Sequence, residues 1–199
     1  MNSRSLIYYQ GIGYGDINKL LRHDNVTDEF ISKNIDHPLI EHIVNIDESI
    51  DESEIEEELV LYRGYTTVDL HKHTNIIEKA FSSCSTNLDI ASNSFSSAEI
   101  KCCILVFTLP PEIKAYKYKY RGEMTENEYL LRRNVEFFNI KLLGLTNKNV
   151  EVFQCNIRPY IPPTEEETIK YHQELDKMRQ QMLKEDYDFD GTFSDSETE

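Results

Sequence analysis

Three short segments of this 199-residue chain carry residue types that suit chemistry better than a purely structural role. Arg63 ends a short apolar run, and a guanidinium at the end of a buried strand can bind an oxyanion through paired hydrogen bonds. Ser83 lies in a run of small, mostly hydroxyl-bearing side chains. Glu126 and Glu128 stand two positions apart at the entry to an apolar strand, and such residues share one face of a strand. We therefore expect both carboxylates to face one cleft, where they can accept hydrogen bonds or a proton.

The elements that would position these residues are a helical first quarter and a strand-rich remainder. Apolar residues repeat at helical spacing through most of residues 5–50. From residue 59 to residue 158 the pattern changes to short apolar or alternating runs with hairpin-length links, which predicts six or seven strands in a largely antiparallel sheet. One short helix over 87–95 is predicted to interrupt the strands. The sequence therefore predicts an α+β fold.

The domain organisation follows from the same pattern. The chain length suits one domain, which we place at residues 1–160, with helices in 5–50 and the β core at 59–158. An acid-rich start after two prolines predicts a C-terminal helix over 164–185. Residues 186–199 form an acidic tail that we expect to be disordered.

Negative charge is concentrated in two places. The formal net charge is −15; residues 47–58 hold eight acids and no base, and residues 164–199 hold twelve acids and four bases, which leaves +1 for the rest. Nucleic acids and anionic membranes need a basic field, so neither is an expected partner. No apolar run approaches ~20 residues and no signal-peptide pattern begins the chain. We therefore expect a soluble protein that acts inside a cell, either its producer's own or the cytoplasm of a host cell.

Metal binding is not expected. The four cysteines have neither C-x-x-C spacing nor a histidine at zinc spacing, which favours free thiols. The acidic run at 186–197 fits the calcium-loop pattern D-x-D-x-D-G-x5-E. Because chance matches are frequent in so acidic a segment, a disordered tail is favoured over a calcium site there.

A fourth segment extends the pattern into a family resemblance. Residues 14–22 read Y-x-x-I-N-x-x-L-R, and this helix motif, the strand arginine Arg63, the Ser83-Cys84-Ser85 run and the Glu126-x-Glu128 pair follow in that order. The chain resembles the mono-ADP-ribosyltransferases of the arginine–serine–glutamate class over roughly residues 8–158. The family's Ser-Thr-Ser element has cysteine in its middle place here. The resemblance implies a split antiparallel β core whose cleft binds NAD.

The resemblance also implies a role for each member of the constellation. Glu128 would hold the ribose 2′-hydroxyl of NAD and place negative charge near C1′, where an oxocarbenium-like centre develops. Arg63 would bind the NAD diphosphate through a charge-assisted fork. Ser83 would hold Glu128 in its productive rotamer by a hydrogen bond. Glu126 would accept hydrogen bonds from an incoming guanidinium and assist its deprotonation.

Further residues would complete the cofactor and target sites. Ser85 and Phe95 are candidates to contact NAD, and Tyr120, in a recognition loop over 118–125, is a candidate to contact the target protein. In the family, glutamate at the place of Glu126 goes with arginine acceptors. The resemblance therefore implies a glycosyl transfer from NAD, as co-substrate, to an arginine side chain of a target protein, with release of nicotinamide and no required metal.

Three alternatives stay open at this point. A non-catalytic NAD-binding or protein-interaction module of the same fold would not need the intact set of Arg63, Ser83 and Glu128. An NAD glycohydrolase would transfer ADP-ribose to water and need no recognition loop. Transfer to a nucleic-acid base or a small guanidine is a third possibility, and the acidity of the chain disfavours nucleic acid.

Overall fold

The computed structural model divides into two compact units, Met1–Ile161 and Pro162–Glu199. The residues that it describes are 3–23, 26–55, 58–66, 70–93, 102–118, 127–161 and 163–189.

The first unit begins with a nearly continuous helical segment that changes its winding once. Helix α1 (Ser3–Tyr8) leads into a π-helical turn (Tyr9–Gly13), which leads into helix α2 (Tyr14–His23). A π-helical turn shifts the side chains that follow it around the helix axis, and such turns are frequent at functional sites.

Two further helices complete the N-terminal part. The Thr27 hydroxyl accepts the Phe30 backbone N–H at 3.2 Å and so caps helix α3 (Asp28–Lys33). Helix α4 (Pro38–Asp51) has its proline in the first turn, where a missing N–H is tolerated.

In the described residues, eight strands, one short α-helix and a 3-10 turn (Leu70–Lys72) follow. The strands are β1 (Val60–Thr66), β2 (Asn75–Glu78), β3 (Ser82–Ser85), β4 (Cys102–Thr108), β5 (Ala115–Lys117), β6 (Glu128–Leu131), β7 (Val135–Leu145) and β8 (Glu151–Pro159). Helix α5 (Leu88–Asn93) lies within the predicted range 87–95. The α+β prediction is confirmed. The pattern missed β2, because only one of its four side chains is buried and no apolar alternation marks it.

The strands form one mixed sheet in the order β2-β7-β8-β4-β1-β3-β6-β5. Neighbours run antiparallel except β4 and β8, which pair in parallel. Within the described residues, β1 and β3 share the single pair Tyr62–Ser85, whereas β1 and β4 share seven. The sheet therefore divides between β1 and β3, which is the split core that the family resemblance implies.

Two hydrophobic cores lie against this sheet, and β6 contributes to both. Leu131 and Tyr129 belong to the core that includes Phe137 and Phe153. Leu130 belongs to the second core, where helices α2 and α4 pack against Phe81. Because alternate side chains of a strand point to opposite faces, a shift of one residue in β6 would exchange the side chains between the two cores and turn the Glu128 carboxylate to the other face. The register of β6 is therefore strongly specified.

The second unit contains helix α6 (Glu165–Phe189). Its start is a capping box, in which the Thr164 hydroxyl accepts the Glu167 N–H at 3.2 Å and the Glu167 carboxylate accepts the Thr164 N–H at 2.8 Å. No helix in the described ranges has the length and apolar character needed to span a membrane. Helix α6 extends four residues beyond the predicted end at 185, so residues 186–189 of the predicted tail are helical. Residues 190–199, which hold most of the acidic tail and of the calcium-loop pattern, lie outside the described residues.

Candidate active site

The sheet order brings the three predicted residues Arg63, Ser83 and Glu128 together, because they lie on the adjacent strands β1, β3 and β6. All three line one cavity of about 350 Å³. Its other described lining residues come from the N-terminal helical segment and are Tyr9, Gln10, Tyr14, Asn18 and Arg22.

Strand pairing explains why two of these residues face the helices. Ser83 lies opposite Leu130, and Ser85 lies opposite Glu128, in the antiparallel pair of β3 and β6. Residues directly opposite each other in such a pair share a face, as do Glu128 and Leu130 along β6. Since Leu130 packs in the helix-side core, the Glu128 carboxylate is presented to the N-terminal helical segment.

Arg63 connects the two halves of the split sheet. Its Nη1 donates to the Ser83 carbonyl oxygen at 2.8 Å, beside the single backbone pair of β1 and β3. The guanidinium lies 5.5 Å from the centroid of the Tyr65 ring, within the range of a cation–π contact. Its Nε is buried and has no hydrogen-bond partner among the described residues. A guanidinium beside a cavity with one donor unused is suited to bind an anion.

A second guanidinium lines the same cavity and is held by a buried carboxylate. Arg22 donates from Nε and Nη2 to the two oxygens of Glu78, each at 3.1 Å. Glu78 also accepts the Ala80 backbone N–H at 3.0 Å and the Tyr65 hydroxyl at 3.4 Å. Burial raises the pKa of the Tyr65 phenol, so this group stays protonated and remains a donor. The bidentate pair orients the Arg22 guanidinium at the cavity wall.

Replacing Glu78 with alanine is expected to lower the free energy of unfolding by about 3 kcal/mol, because the Ala80 N–H and the Tyr65 hydroxyl would both be buried without a partner. Urea unfolding followed by circular dichroism measures the change. Glu29→Ala is the control, because Glu29 and its partner Lys33 are both about two-thirds exposed. A Glu78 variant as stable as the Glu29 variant would contradict the assigned role.

A buried tyrosine joins the helical segment to β3 through the residue before that strand. The Tyr9 hydroxyl accepts a hydrogen bond from Asn18 Nδ2 at 2.8 Å and donates one to the Phe81 carbonyl oxygen at 3.2 Å. Burial raises the pKa of Tyr9 to about 12, so the phenol keeps its proton. Asn18 Oδ1 is buried and has no partner within the described part of the chain. It is therefore an acceptor available to an amide or hydroxyl donor in the cavity.

The carboxylate of Glu128 has an unexpected donor. Gln10 Nε2 donates to Glu128 Oε2 at 3.0 Å. In the described residues, the Ser83 backbone carbonyl accepts a hydrogen bond from Arg63. The hydrogen bond to the Glu128 carboxylate is donated by Gln10. The role of the Ser83 hydroxyl in holding Glu128 stays a prediction. Ser85 Oγ accepts the Asn87 N–H at 3.0 Å in the turn that leads to α5.

Phe95, Tyr120 and Glu126 lie outside the described residues, so their roles stay predictions. The described positions contain no group of three or more histidine, cysteine or carboxylate side chains that could hold a metal ion.

Sequence reasoning missed five cavity residues, Tyr9 among them, although the spacing of the other four carries a signal. Gln10, Tyr14, Asn18 and Arg22 follow one another at intervals of four residues, and on a helix such residues lie along one face. The family resemblance drew attention to the motif at 14–22 as a helix. Tyr14, Asn18 and Arg22 form a polar row beside the buried Ile17 and Leu21. Such a row next to a buried face predicts residues that line a site rather than residues in bulk solvent.

Solved structures with a similar fold include several ADP-ribosyltransferases and toxin components. Vis from Vibrio splendidus, solved with agmatine, is 18% identical over 77% of this chain and 72% of its own, with a TM-score of 0.56. C3stau2 from S. aureus, solved with NAD, is 16% identical over 76% of this chain and 83% of its own, with a TM-score of 0.58. The C2-I component of the Clostridium botulinum C2 toxin is 21% identical over 77% of this chain, with a TM-score of 0.57. This chain matches 42% of C2-I.

No curated protein sequence gives a significant match. A family model described as an ADP-ribosyltransferase exoenzyme matches residues 2–150. This span contains the residues that line the cavity and all residues of the two hydrophobic cores that precede β8. The arginine, serine and glutamate that define the resemblance lie on three adjacent strands at one cavity. The chain therefore belongs to the ADP-ribosyltransferase exoenzyme family.

Proposed function

We propose that this protein transfers ADP-ribose from NAD to an arginine side chain of a target protein and releases nicotinamide. The observation that carries the proposal is the convergence of Arg63, Ser83 and Glu128 at one cavity that also holds Arg22. That combination offers cations for a diphosphate and a carboxylate for a developing positive charge.

The two guanidiniums suit the diphosphate of NAD. Each presents N–H donors in a planar fork, which matches phosphate oxygens better than an ammonium group does. The buried Arg63 Nε, which lacks a partner among the described residues, supports direct binding. Arg22 is oriented by Glu78, and its charge is balanced there, so its contribution is hydrogen bonding in a fixed direction. The C3stau2 structure with NAD supports this ligand for the fold.

The carboxylate of Glu128 suits cleavage of the bond between ribose and nicotinamide. Nicotinamide leaves as a neutral molecule from a cationic ring, so the reaction needs little acid assistance. The site must instead stabilise positive charge that develops at C1′, and a fixed carboxylate does this most effectively where water is partly excluded. Glu128 is half-buried and its orientation is fixed by a hydrogen bond, which favours this role.

Arginine is the proposed acceptor because of Glu126 and its neighbours. Glu126 precedes Glu128 by two residues, and its carboxylate would accept hydrogen bonds from a guanidinium and assist its deprotonation. Tyr120 would contact the target protein. The Vis structure supports a guanidinium acceptor for the fold, because agmatine carries that group.

The first test is to incubate the purified chain with labelled NAD and cell lysate, beside the Glu128→Gln variant. Glu112→Gln is the matched control, because Glu112 is an exposed glutamate in the turn between β4 and β5. The proposal expects discrete labelled protein bands with wild type and with the control, and none with Glu128→Gln. Reagents that cleave arginine-linked ADP-ribose should remove the label.

The other outcomes separate the alternatives. Free nicotinamide without labelled protein would identify an NAD glycohydrolase. Label that resists arginine-specific cleavage would keep the transferase and change the acceptor. A wild-type chain that binds NAD without turning it over would identify a binding module.

A further inference from the structure

The hydrogen bond between Gln10 and Glu128 joins parts of the chain that lie 118 residues apart in sequence. Gln10 is the second residue of the π-helical turn Tyr9–Gly13, and Glu128 is the first residue of β6. The amide nitrogen of Gln10 lies 3.0 Å from Glu128 Oε2. Both side chains line the cavity that also contains Arg63. The contact therefore acts on the carboxylate on which the proposed chemistry depends.

The π-helical turn is anchored on both sides of Gln10, so the amide is not carried by a loose segment. On one side, Tyr9 is 3% exposed, donates to the Phe81 carbonyl oxygen at 3.2 Å, and packs its ring edge-to-face against the Phe81 ring. On the other side, Gly13 lies so close to the Tyr8 ring that a Cβ there would overlap it. The Tyr8 ring in turn stacks on His42 of α4, with 4.3 Å between the ring centroids. These contacts fix the position of the turn relative to β3 and α4.

A neutral amide is a suitable partner for a carboxylate whose negative charge must remain available to the substrate. A lysine or arginine at this place would form an ion pair with Glu128 and offset the charge that the site presents to the substrate. An amide N–H restricts the carboxylate to one orientation without adding a charge. Hydrogen bonds to charged acceptors are also stronger than those between neutral groups, so one amide is sufficient to bias the rotamer.

We infer that Gln10 is a positioning residue for Glu128. It holds Oε2 of the carboxylate and thereby directs Oε1 to the ribose 2′-hydroxyl. The inference rests on the proposed function, since it assigns a task in NAD cleavage to a residue that does not itself touch the reacting atoms. It also divides the orientation of Glu128 between the sheet, which sets its backbone, and the helical segment, which sets its side chain.

The test compares Gln10→Ala with wild type in steady-state NAD hydrolysis. We expect kcat to fall about tenfold, the scale of one hydrogen bond to a charged group, while KM for NAD stays within about twofold. A split between kcat and KM distinguishes positioning of Glu128 from general damage to the NAD site. Gln154→Ala is the matched control, because Gln154 is an exposed glutamine on β8 that is not among the residues lining the cavity.

A second variant removes the donor while keeping the length of the side chain. Gln10→Glu places a carboxylate beside Glu128, so the hydrogen bond is replaced by repulsion, and kcat should fall below that of Gln10→Ala. Because Gln10 is exposed, both variants should remain folded, with unfolding temperatures within a few degrees of wild type. Wild-type kcat in Gln10→Ala, or equal kcat in the two variants, would overturn the inference. Absence of NAD turnover by the wild-type chain would instead refute the proposed function, so the two failures are distinguishable.

Discussion

Replacing Glu128 with glutamine is expected to slow nicotinamide release by about a thousandfold while NAD affinity stays within a few-fold of wild type. The substitution preserves the size of the side chain. Its amide oxygen can still accept from Gln10, and its amide nitrogen can donate to a hydroxyl in place of the second carboxylate oxygen. What it removes is the negative charge. Only the transition state has full need of that charge, so the rate should fall far more than the binding. Single-turnover nicotinamide release and equilibrium titration with NAD measure the two quantities.

Each possible result of the Glu128→Gln measurements has a distinct interpretation. A rate close to that of wild type would remove Glu128 from the chemical step. Equal losses in rate and NAD affinity would make it a binding residue rather than one that stabilises the transition state. Glu112→Gln, which also removes one carboxylate from the chain, should leave both quantities unchanged.

Replacing Glu126 with glutamine is expected to separate the two halves of the reaction. Transfer to an arginine analogue such as agmatine should fall about a hundredfold, because general-base assistance contributes roughly that much to a rate. NAD hydrolysis should stay close to the wild-type rate, since the charge proposed for Glu128 at C1′ is kept and water does not need a strong base to attack an oxocarbenium-like centre. Parallel assays of agmatine transfer and nicotinamide release from the same samples measure the ratio.

The comparison that decides the role of Glu126 is the variant two residues later. Glu128→Gln should lose transfer and hydrolysis together, whereas Glu126→Gln should lose transfer alone. If both variants lost both activities to the same extent, the two carboxylates would share one task, and the assignment of Glu126 to the acceptor would be wrong.

The hydrophobic pattern along the chain was sufficient to predict the fold class and the three strands that carry the candidate active site. Arg63 and Ser83 were predicted on strands and Glu128 at the entry to one, and the sheet places those strands side by side. The parallel pairing of β4 with β8 was not predictable from apolar spacing, because that spacing reports burial along one strand and carries no information about its neighbour. Strand β2 was missed for a different reason, since it buries a single side chain.

The contacts that complete the site depend on how the helical segment packs on the sheet. Arg22 and Glu78 are 56 residues apart, and Gln10 and Glu128 are 118 residues apart. Each of these four residues is polar or charged, and its type alone predicts a solvent-exposed position. Their roles appear only when Tyr9 and Phe81 fix the helical segment against β3, which is a tertiary contact with no local signature. The motif at 14–22 was the one sequence feature that pointed to this part of the site.

The place of β6 in both hydrophobic cores has a consequence for how such a protein can change over evolution. Leu130 and Leu131 secure the strand from opposite faces, and these anchors come after Glu128 in the chain. Substitutions, insertions or deletions upstream of Glu128, in the segment proposed to recognise the target, leave those anchors untouched. The residues proposed for bond cleavage and those proposed for target recognition can therefore evolve independently. One catalytic domain can then acquire new protein substrates by mutation of a short segment.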